Sequence, residues 1–239
     1  MERVLIILKW VLAIMVLVVV LSFTNNRQAN QFVKLNEIGI EIAADNFVNQ
    51  QVVLDYLNSK NVNFDSVLVN DFQKEDLENL LLTHPNIKNV EVFANQKGAI
   101  DFTIFQKQAI VRVKGINADY FLDSFGNRME ISSHYTPNLI VVTGDVTADK
   151  HKNIFDFVNE INESKFWKSQ LTQMHFSGKE IILIPRVGDH KIYLRSFENT
   201  KEKLEELYQF YKIAMPTKGW QTYTDISLKF NNQIVCTKR

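Results

Sequence analysis

The sequence is poor in cysteine and has no net charge. Of its 239 residues only Cys236 is a cysteine, so the chain cannot form an internal disulfide. Lysine and arginine together number 27, as do aspartate and glutamate, so the basic excess typical of a nucleic-acid-binding protein is missing. Hydrophobic residues make up 46% and charged residues 23%, which indicates a folded body rather than a disordered chain.

The sequence also lacks the short motifs of the common enzyme classes. Its five histidines show no metal-ligand spacing, and there is no H-E-x-x-H motif. A P-loop, a G-x-G-x-x-G motif and a G-x-S-x-G nucleophile elbow are absent as well. Cys236 has no histidine close in sequence that would activate its thiol, which favours a structural role. We therefore expect no metal, no cofactor, no small-molecule substrate and no catalysis.

Three acidic residues, Asp119, Asp123 and Glu130, form one modest cluster with two interpretations. A pair of carboxylates can hydrolyse glycosidic bonds, as a cell-wall enzyme would need. Asp123, however, precedes Ser124-Phe125-Gly126, a setting in which aspartate commonly binds the backbone of a turn. The turn is the favoured interpretation, and an envelope enzyme stays as an alternative function.

One long apolar segment, Val4–Phe23, is predicted to be a transmembrane helix. About 20 helical residues span the hydrocarbon core of a bilayer. Lys9 is its one charge and can extend to the interface, where the neighbouring Trp10 is also favoured. The alternatives are a buried core helix and a cleaved signal peptide. The length of the segment and the absence of an A-x-A site after it argue against the signal peptide.

The basic residues near this segment predict its orientation. Arg3 and Lys9 precede most of the apolar run and Arg27 follows it, a weak bias that places the N-terminus in the cytoplasm. Residues 1–3 are then a cytoplasmic tail, and the polar residues 24–31 are a linker. The rest of the chain would lie outside the cytoplasm.

After the linker, periodicity predicts five elements in the order β-α-α-β-β. Residues 32–42 alternate as a strand, and Asn46 or Asn49 and Asp71 are predicted to begin the two helices. Two further strands, 87–94 and 99–106, are joined by a turn at 95–98. Such a unit has its helices on one face of a three-stranded sheet.

The second half of the chain mixes strands with two amphipathic helices. The predicted helices are 149–163 and 199–215, the latter with a capping box at Asn199 and an end at Pro216. A turn at Asn231-Asn232 joins the last two strands. The other predicted strands are 120–123, 139–143, 174–176, 180–184 and 191–194, and the last two are 222–230 and 233–238.

The order of several short motifs resembles the FtsQ/DivIB family of bacterial cell-division proteins. The matching positions are, in chain order, 47–49 with Val53, Tyr56 and Leu57; 77–78 and 84–92; 105–113; 120–123 with Gly126; 141–144; and 226–230 with Ile234 and Val235. The sequence departs from the family pattern at Ala109, where proline is usual, at Lys107 and Lys229, where arginine is common, and at Ser227, where aspartate is common.

This resemblance implies an α+β fold made of one N-terminal transmembrane helix (4–23), a POTRA domain of β-α-α-β-β order (32–107) and a mixed β domain with flanking helices (108–239). It implies a non-catalytic scaffold in the inner membrane at the division septum. The expected partners are FtsB- or DivIC-like and FtsL-like membrane proteins and other divisome components, and septal peptidoglycan synthesis would be under its partial control.

The resemblance also places the partner-binding site. In this family the last strand lies at a sheet edge, where an added strand can pair with it. By matching positions, the predicted partner-binding residues are Lys229 and Phe230, with Leu228, Tyr223 and Ile234 as neighbours. Whether Phe230 faces a partner or the core stays open, because alternation puts it on the face of Leu228.

A third function is a POTRA-type chaperone or secretion component of the kind that precedes an outer-membrane barrel. No series of alternating barrel strands follows the β-α-α-β-β segment. This alternative is therefore less favoured than a cell-division scaffold.

Overall fold

The computed structural model describes residues 2–29, 31–41, 46–95, 97–115, 118–132 and 134–239. The chain divides into two compact units, Met1–Gln106 and Lys107–Arg239. Both contain helices and sheets, so the predicted α+β class is confirmed.

The first helix, α1, spans Glu2–Ala29 and contains the predicted apolar segment. Side chains are described for residues 9–22, and the large apolar ones from Trp10 to Leu21 are all more than half exposed. The two ends of the predicted span, 4–8 and Phe23, lie outside the residues whose side chains are described. Over the described residues, no helix combines the length and the apolar character that crossing a bilayer requires.

The rest of the first unit is a three-stranded sheet with two helices. Its elements are β1 (Lys34–Ile40), α2 (Gln50–Ser59), α3 (Lys74–Leu82), β2 (Ile87–Ala94) and β3 (Ala99–Gln106). The strand order is β1-β3-β2, with β1 parallel and β2 antiparallel to the central β3. Alternate residues of β3, including Ile100, Phe102 and Ile104, are fully buried and form the centre of the core.

Side-chain caps explain one helix start in this unit but not the other. The Asn49 side chain accepts a hydrogen bond from the Val52 amide at 2.9 Å, so Asn49 caps α2. Asp71 does not cap α3 as predicted, because the helix begins later, at Lys74. The Asp71 amide instead donates to the Leu68 carbonyl in a turn.

The second unit is built on one nine-stranded sheet. Its strands and helices are β4 (Ala109–Lys114), β5 (Asp119–Asp123), β6 (Arg128–Met129), β7 (Ile140–Gly144), α4 (His151–Glu163), α5 (Lys165–Gln170), β8 (Leu171–Ser177), β9 (Glu180–Pro185), β10 (Lys191–Leu194), α6 (Thr200–Lys218), β11 (Tyr223–Phe230) and β12 (Gln233–Lys238). The strand order is β12-β11-β10-β9-β8-β7-β4-β5-β6, so β12 and β6 are its two edges.

The core of this unit lies between the sheet and the helices. Val142, Met174, Leu183, Ile192 and Ile226 are successive cross-strand neighbours, and each is at most 1% exposed. Apolar side chains of α4, α5 and α6 pack in the same cluster. The helices therefore cover the face of the sheet on which these five residues lie.

The ends of α6 differ from the prediction in two ways. Asn199 is in the left-handed conformation, with φ of 54°, and its side chain makes no capping hydrogen bond. Asn199 tolerates this conformation because its short polar side chain suits it. Pro216 lies inside the last turn, and the helix continues to Lys218 and ends at Gly219, whose φ of 84° favours glycine.

Candidate partner-binding site

The last hairpin of the chain forms one edge of the large sheet. β11 pairs in parallel with β10 and antiparallel with β12, and a turn at Asn231-Asn232 joins β11 to β12. Asn232 has φ of 56°, a conformation that asparagine adopts more readily than most residues. The outer side of β12 has no neighbouring strand in this sheet.

The predicted site residues are divided between an inner strand and the edge strand. Tyr223, Leu228, Lys229 and Phe230 lie on β11, which pairs with β12 and, through residues 225–227, with β10, and only Ile234 lies on β12. The expectation that these residues mark one edge strand therefore needs correction. Residues of β11 can offer side chains to a partner, whereas the unpaired backbone belongs to β12.

The register of the hairpin identifies the backbone groups that β12 directs outward. The Arg239 amide donates to the Thr222 carbonyl at 3.0 Å, so residue 239 directs its backbone groups toward β11. Backbone groups alternate along an antiparallel strand, so 233, 235 and 237 also face β11. The amides and carbonyls of Ile234, Cys236 and Lys238 consequently face away from the sheet. They form a short edge with which an added strand can pair.

Leu228 and Phe230 do not share a face, contrary to the alternation argument. Leu228 is 1% exposed and packs in the core, whereas Phe230 is 56% exposed. The register shifts between Ser227 and Phe230, so an extra residue in β11 changes the direction of the side chains that follow it. Phe230 is therefore a surface aromatic residue.

Two residues that were predicted to neighbour the site, Tyr223 and Ile234, pack at least partly against the core of the second unit. Tyr223 packs against the core, with its ring 5.7 Å from that of Phe210 on α6. Ile234 is half-buried against the same core. Val235, which was not predicted, is 40% exposed on the edge strand. The alternation of β12 could have identified it, because its neighbours Ile234 and Cys236 are the ones that pack inward.

Lys229 belongs to a group of charged and polar residues on the face of the sheet opposite the helices. Its ammonium pairs with Glu180 and lies 5.2 Å from the centroid of the Tyr193 ring. The Thr224 hydroxyl donates to Asp225 at 2.7 Å, and this bond, with a further one from Tyr193, lowers the pKa of the Asp225 carboxyl. Lys229 thus has intramolecular partners for which a binding partner would have to compete.

The acidic cluster is held by hydrogen bonds and ion pairs. Arg112 donates to both carboxylate oxygens of Asp119, at 2.9 and 2.6 Å, and these bonds lower the pKa of that carboxyl. Asp123 is 2% exposed and accepts from the Phe125 and Asn127 amides, both at 2.9 Å, which is the predicted turn. Glu130 lies 3.7 Å from Arg128. Each of the three carboxyls therefore has a structural partner.

Three further predicted residues have simple surroundings. Cys236 is half-buried, and burial raises the pKa of its thiol, which disfavours the reactive thiolate. Lys9 and Trp10 lie exposed on α1, and Trp10 is 68% exposed. Within the part of the chain that the structure describes, no group of three or more histidine, cysteine or acidic residues is placed to hold a metal ion.

Comparison with known proteins finds a matching family model and similar solved structures. A family model described as FtsQ/DivIB, C-terminal related matches residues 108–237. One of these structures is the major extracytoplasmic domain of the trans isomer of the bacterial cell division protein DivIB from Geobacillus stearothermophilus. It is 12% identical over 46% of this chain and 96% of that chain, with a TM-score of 0.34. The comparison with curated proteins found no match.

Proposed function

The chain belongs to the FtsQ/DivIB, C-terminal related family, and from this we propose that it is a non-catalytic scaffold of bacterial cell division. Its role is to recruit FtsB- or DivIC-like and FtsL-like membrane proteins to the septum and to help control peptidoglycan synthesis there. The family match supports the cell-division role, and the open edge at β12 supports recruitment by strand addition.

In this mechanism a partner strand pairs with the outward backbone groups of Ile234, Cys236 and Lys238. Backbone hydrogen bonds supply much of the affinity, and side chains at alternate positions supply specificity. Phe230 and Val235 are the apolar side chains that this edge exposes beside the added strand. Exposed aromatic residues are frequent hot spots, and truncating one at the centre of an interface costs about 2 kcal/mol or more.

The proposal includes a single-pass anchor in the inner membrane. The apolar side chains of α1 from Trp10 to Leu21 are exposed, which is unfavourable in water and favourable in lipid. Lys9 and Trp10 would hold the helix at the interface, with the N-terminus in the cytoplasm and residues 32–239 outside it. Its partners are membrane proteins as well, and confinement to one membrane raises their effective concentration.

The first unit fits a POTRA domain in this proposal. After α1 its elements follow the order strand, helix, helix, strand, strand, and the central strand pairs with both others. In the FtsQ/DivIB proteins that the sequence resembles, such a domain follows the membrane helix.

The test compares two exposed phenylalanines of the second unit. Phe230→Glu should abolish co-purification of the full chain with its FtsB-like partner, because a carboxylate replaces an apolar contact beside the edge strand. Phe125→Glu is the matched control, since Phe125 is 62% exposed in the β5–β6 turn. Both variants should keep the melting temperature of the parent. Retained partner binding by Phe230→Glu would refute this site.

A further inference from the structure

A groove in the second unit lies between α4, α5 and α6, among the helices rather than at the edge strand. Its volume is about 370 Å³. Its lining combines an aromatic floor with an acidic rim, and one buried carboxylate oxygen of that rim has no donor. The aromatic floor and the acidic rim are separate observations, and both are independent of the proposed strand addition.

Aromatic rings form the floor. The Phe166 ring packs edge-on against Trp167, with centroids 4.8 Å apart, and against Tyr208, with centroids 4.9 Å apart. Phe166 and Tyr208 are half-buried, so part of each ring is accessible from the groove. The Lys212 ammonium lies 5.4 Å from the centroid of the Tyr208 ring, which already makes a contact with a cation.

The rim carries more negative than positive charge. Glu160, Glu163 and Glu205 line the groove with a single cation, Lys201. One helix ends beside it at Glu163 and two begin nearby, at Lys165 and Thr200, so the helix dipoles offset part of the negative charge of the three carboxylates. The net charge of the groove is therefore determined by its side chains, and this negative charge favours a cation.

Glu160 has one oxygen that lacks a hydrogen-bond donor. The Thr200 hydroxyl donates to its Oε2 at 2.7 Å, while Oε1 is shielded from solvent and has no partner among the described residues. A shielded carboxylate oxygen without a donor is costly. A guanidinium in the groove that Glu160 lines would supply the missing donor.

We propose that this groove binds an arginine side chain presented by a partner polypeptide. A guanidinium stacks on aromatic faces and donates to carboxylates in the plane of its fork, so it matches both the floor and the rim. A lysine ammonium is a compact, strongly hydrated charge that gains less from stacking. The groove would thus give the protein a second contact with a partner, separate from the β12 edge.

The experiment measures peptide binding by the purified full chain. The probes are two fluorescent peptides with a central arginine or citrulline between glycine and serine residues, which differ in charge but hardly in shape. Fluorescence anisotropy should show the arginine peptide binding about tenfold or more tightly. Raised salt should weaken its binding, because the rim is partly exposed.

Variants of the rim distinguish recognition of the arginine charge from non-specific peptide binding. Glu163→Gln with Glu205→Gln changes two exposed side chains and should weaken arginine-peptide binding about tenfold, whereas Lys201→Gln should tighten it. The control pair, Glu130→Gln with Glu202→Gln, removes two exposed charges that do not line the groove and should leave binding unchanged.

Tyr208→Leu tests the floor without altering charge and should also weaken binding. Circular dichroism on each variant verifies that the fold is retained. Equal binding of the two peptides would overturn the proposal, as would normal arginine-peptide binding by the folded rim variant. The FtsB-like partner is absent from the assay, so failure here leaves strand addition unaffected.

Discussion

Among single residues, His190 has the most unusual surroundings of the five histidines. It is 1% exposed, and its Nε2 lies 2.6 Å from the hydroxyl of Tyr211, while its Nδ1 has no partner among the described residues. Burial lowers the pKa of His190, although Asp189 opposes this shift. The folded protein therefore binds a proton at His190 less readily than the unfolded chain does.

This pKa shift predicts a loss of stability in mild acid. Below about pH 6.5 the unfolded chain takes up a proton at His190 that the folded protein resists, so the free energy of unfolding falls as pH decreases toward the folded pKa. Urea titrations at pH 7.5 and 5.5 should show this loss, and His190→Gln should reduce it. An unchanged difference between the two pH values in the variant would contradict the assignment to His190.

At Gly144 the addition of a single methyl group is expected to destabilise the fold strongly. Its φ is 88°, and a Cβ there would lie 2.0 Å from the Phe176 carbonyl oxygen. Gly144→Ala should lower the free energy of unfolding by at least about 2 kcal/mol, from strain and steric overlap together. Gly178 is the matched control, since its φ is 60° but nothing lies within 4 Å of the added Cβ.

Denaturant unfolding distinguishes the two glycines. Gly178→Ala should cost about 1 kcal/mol, because only the left-handed conformation opposes the methyl group. Equal losses in the two variants would mean that the backbone conformation, and not the contact with Phe176, determines the effect at Gly144.

At the scale of elements, the register of β12 gives a test of strand addition. Lys238→Pro removes an outward-facing amide that no strand of this protein uses, so partner affinity should fall while the melting temperature is kept. Thr237→Pro removes an inward-facing amide and should lower the melting temperature of the chain without its partner. Both side chains are exposed, so packing changes little. Undiminished partner affinity in Lys238→Pro would argue against backbone pairing at this edge.

Sequence periodicity predicted the long amphipathic elements but not the irregular ones. α4 was recovered because Ile154, Phe157, Val158 and Ile161 recur at helical spacing, and all four are buried. The short α5 and the two-residue β6 were missed, because neither is long enough to show a period. The end of α6 was placed three residues early, because Pro216 was interpreted as a helix terminator, whereas the helix contains it in its last turn.

The candidate site was only partly predictable for a related reason. Family resemblance pointed to the last hairpin and to an edge position for its last strand, but most of the residues matched by position lie on the preceding strand, β11. The shift between Ser227 and Phe230 has no signal in local sequence, and it separates the surroundings of Phe230 from those of Leu228. Alternation is valid only while the register is regular.

For the whole molecule, the proposed anchor predicts how the chain partitions in cells. The full chain should stay with membranes after extraction with alkaline carbonate, whereas a chain that begins at residue 32 should be found in the soluble fraction. Val16→Lys with Val19→Lys places two charges within the apolar segment and should reduce insertion, at a cost of about 2.5–3.5 kcal/mol per charge at the helix centre. Release of the unaltered full chain by carbonate would exclude a spanning helix.

The two edges of the nine-stranded sheet differ in length. β6 is only two residues long and includes Arg128, features that commonly prevent pairing with another chain. β12 has six residues and a single charge, Lys238. Since two copies of an open edge can pair with each other, an excess of this protein over its partner would expose it to aggregation. Under the proposed strand addition, synthesis of this protein and its partner in matched amounts would keep that edge occupied.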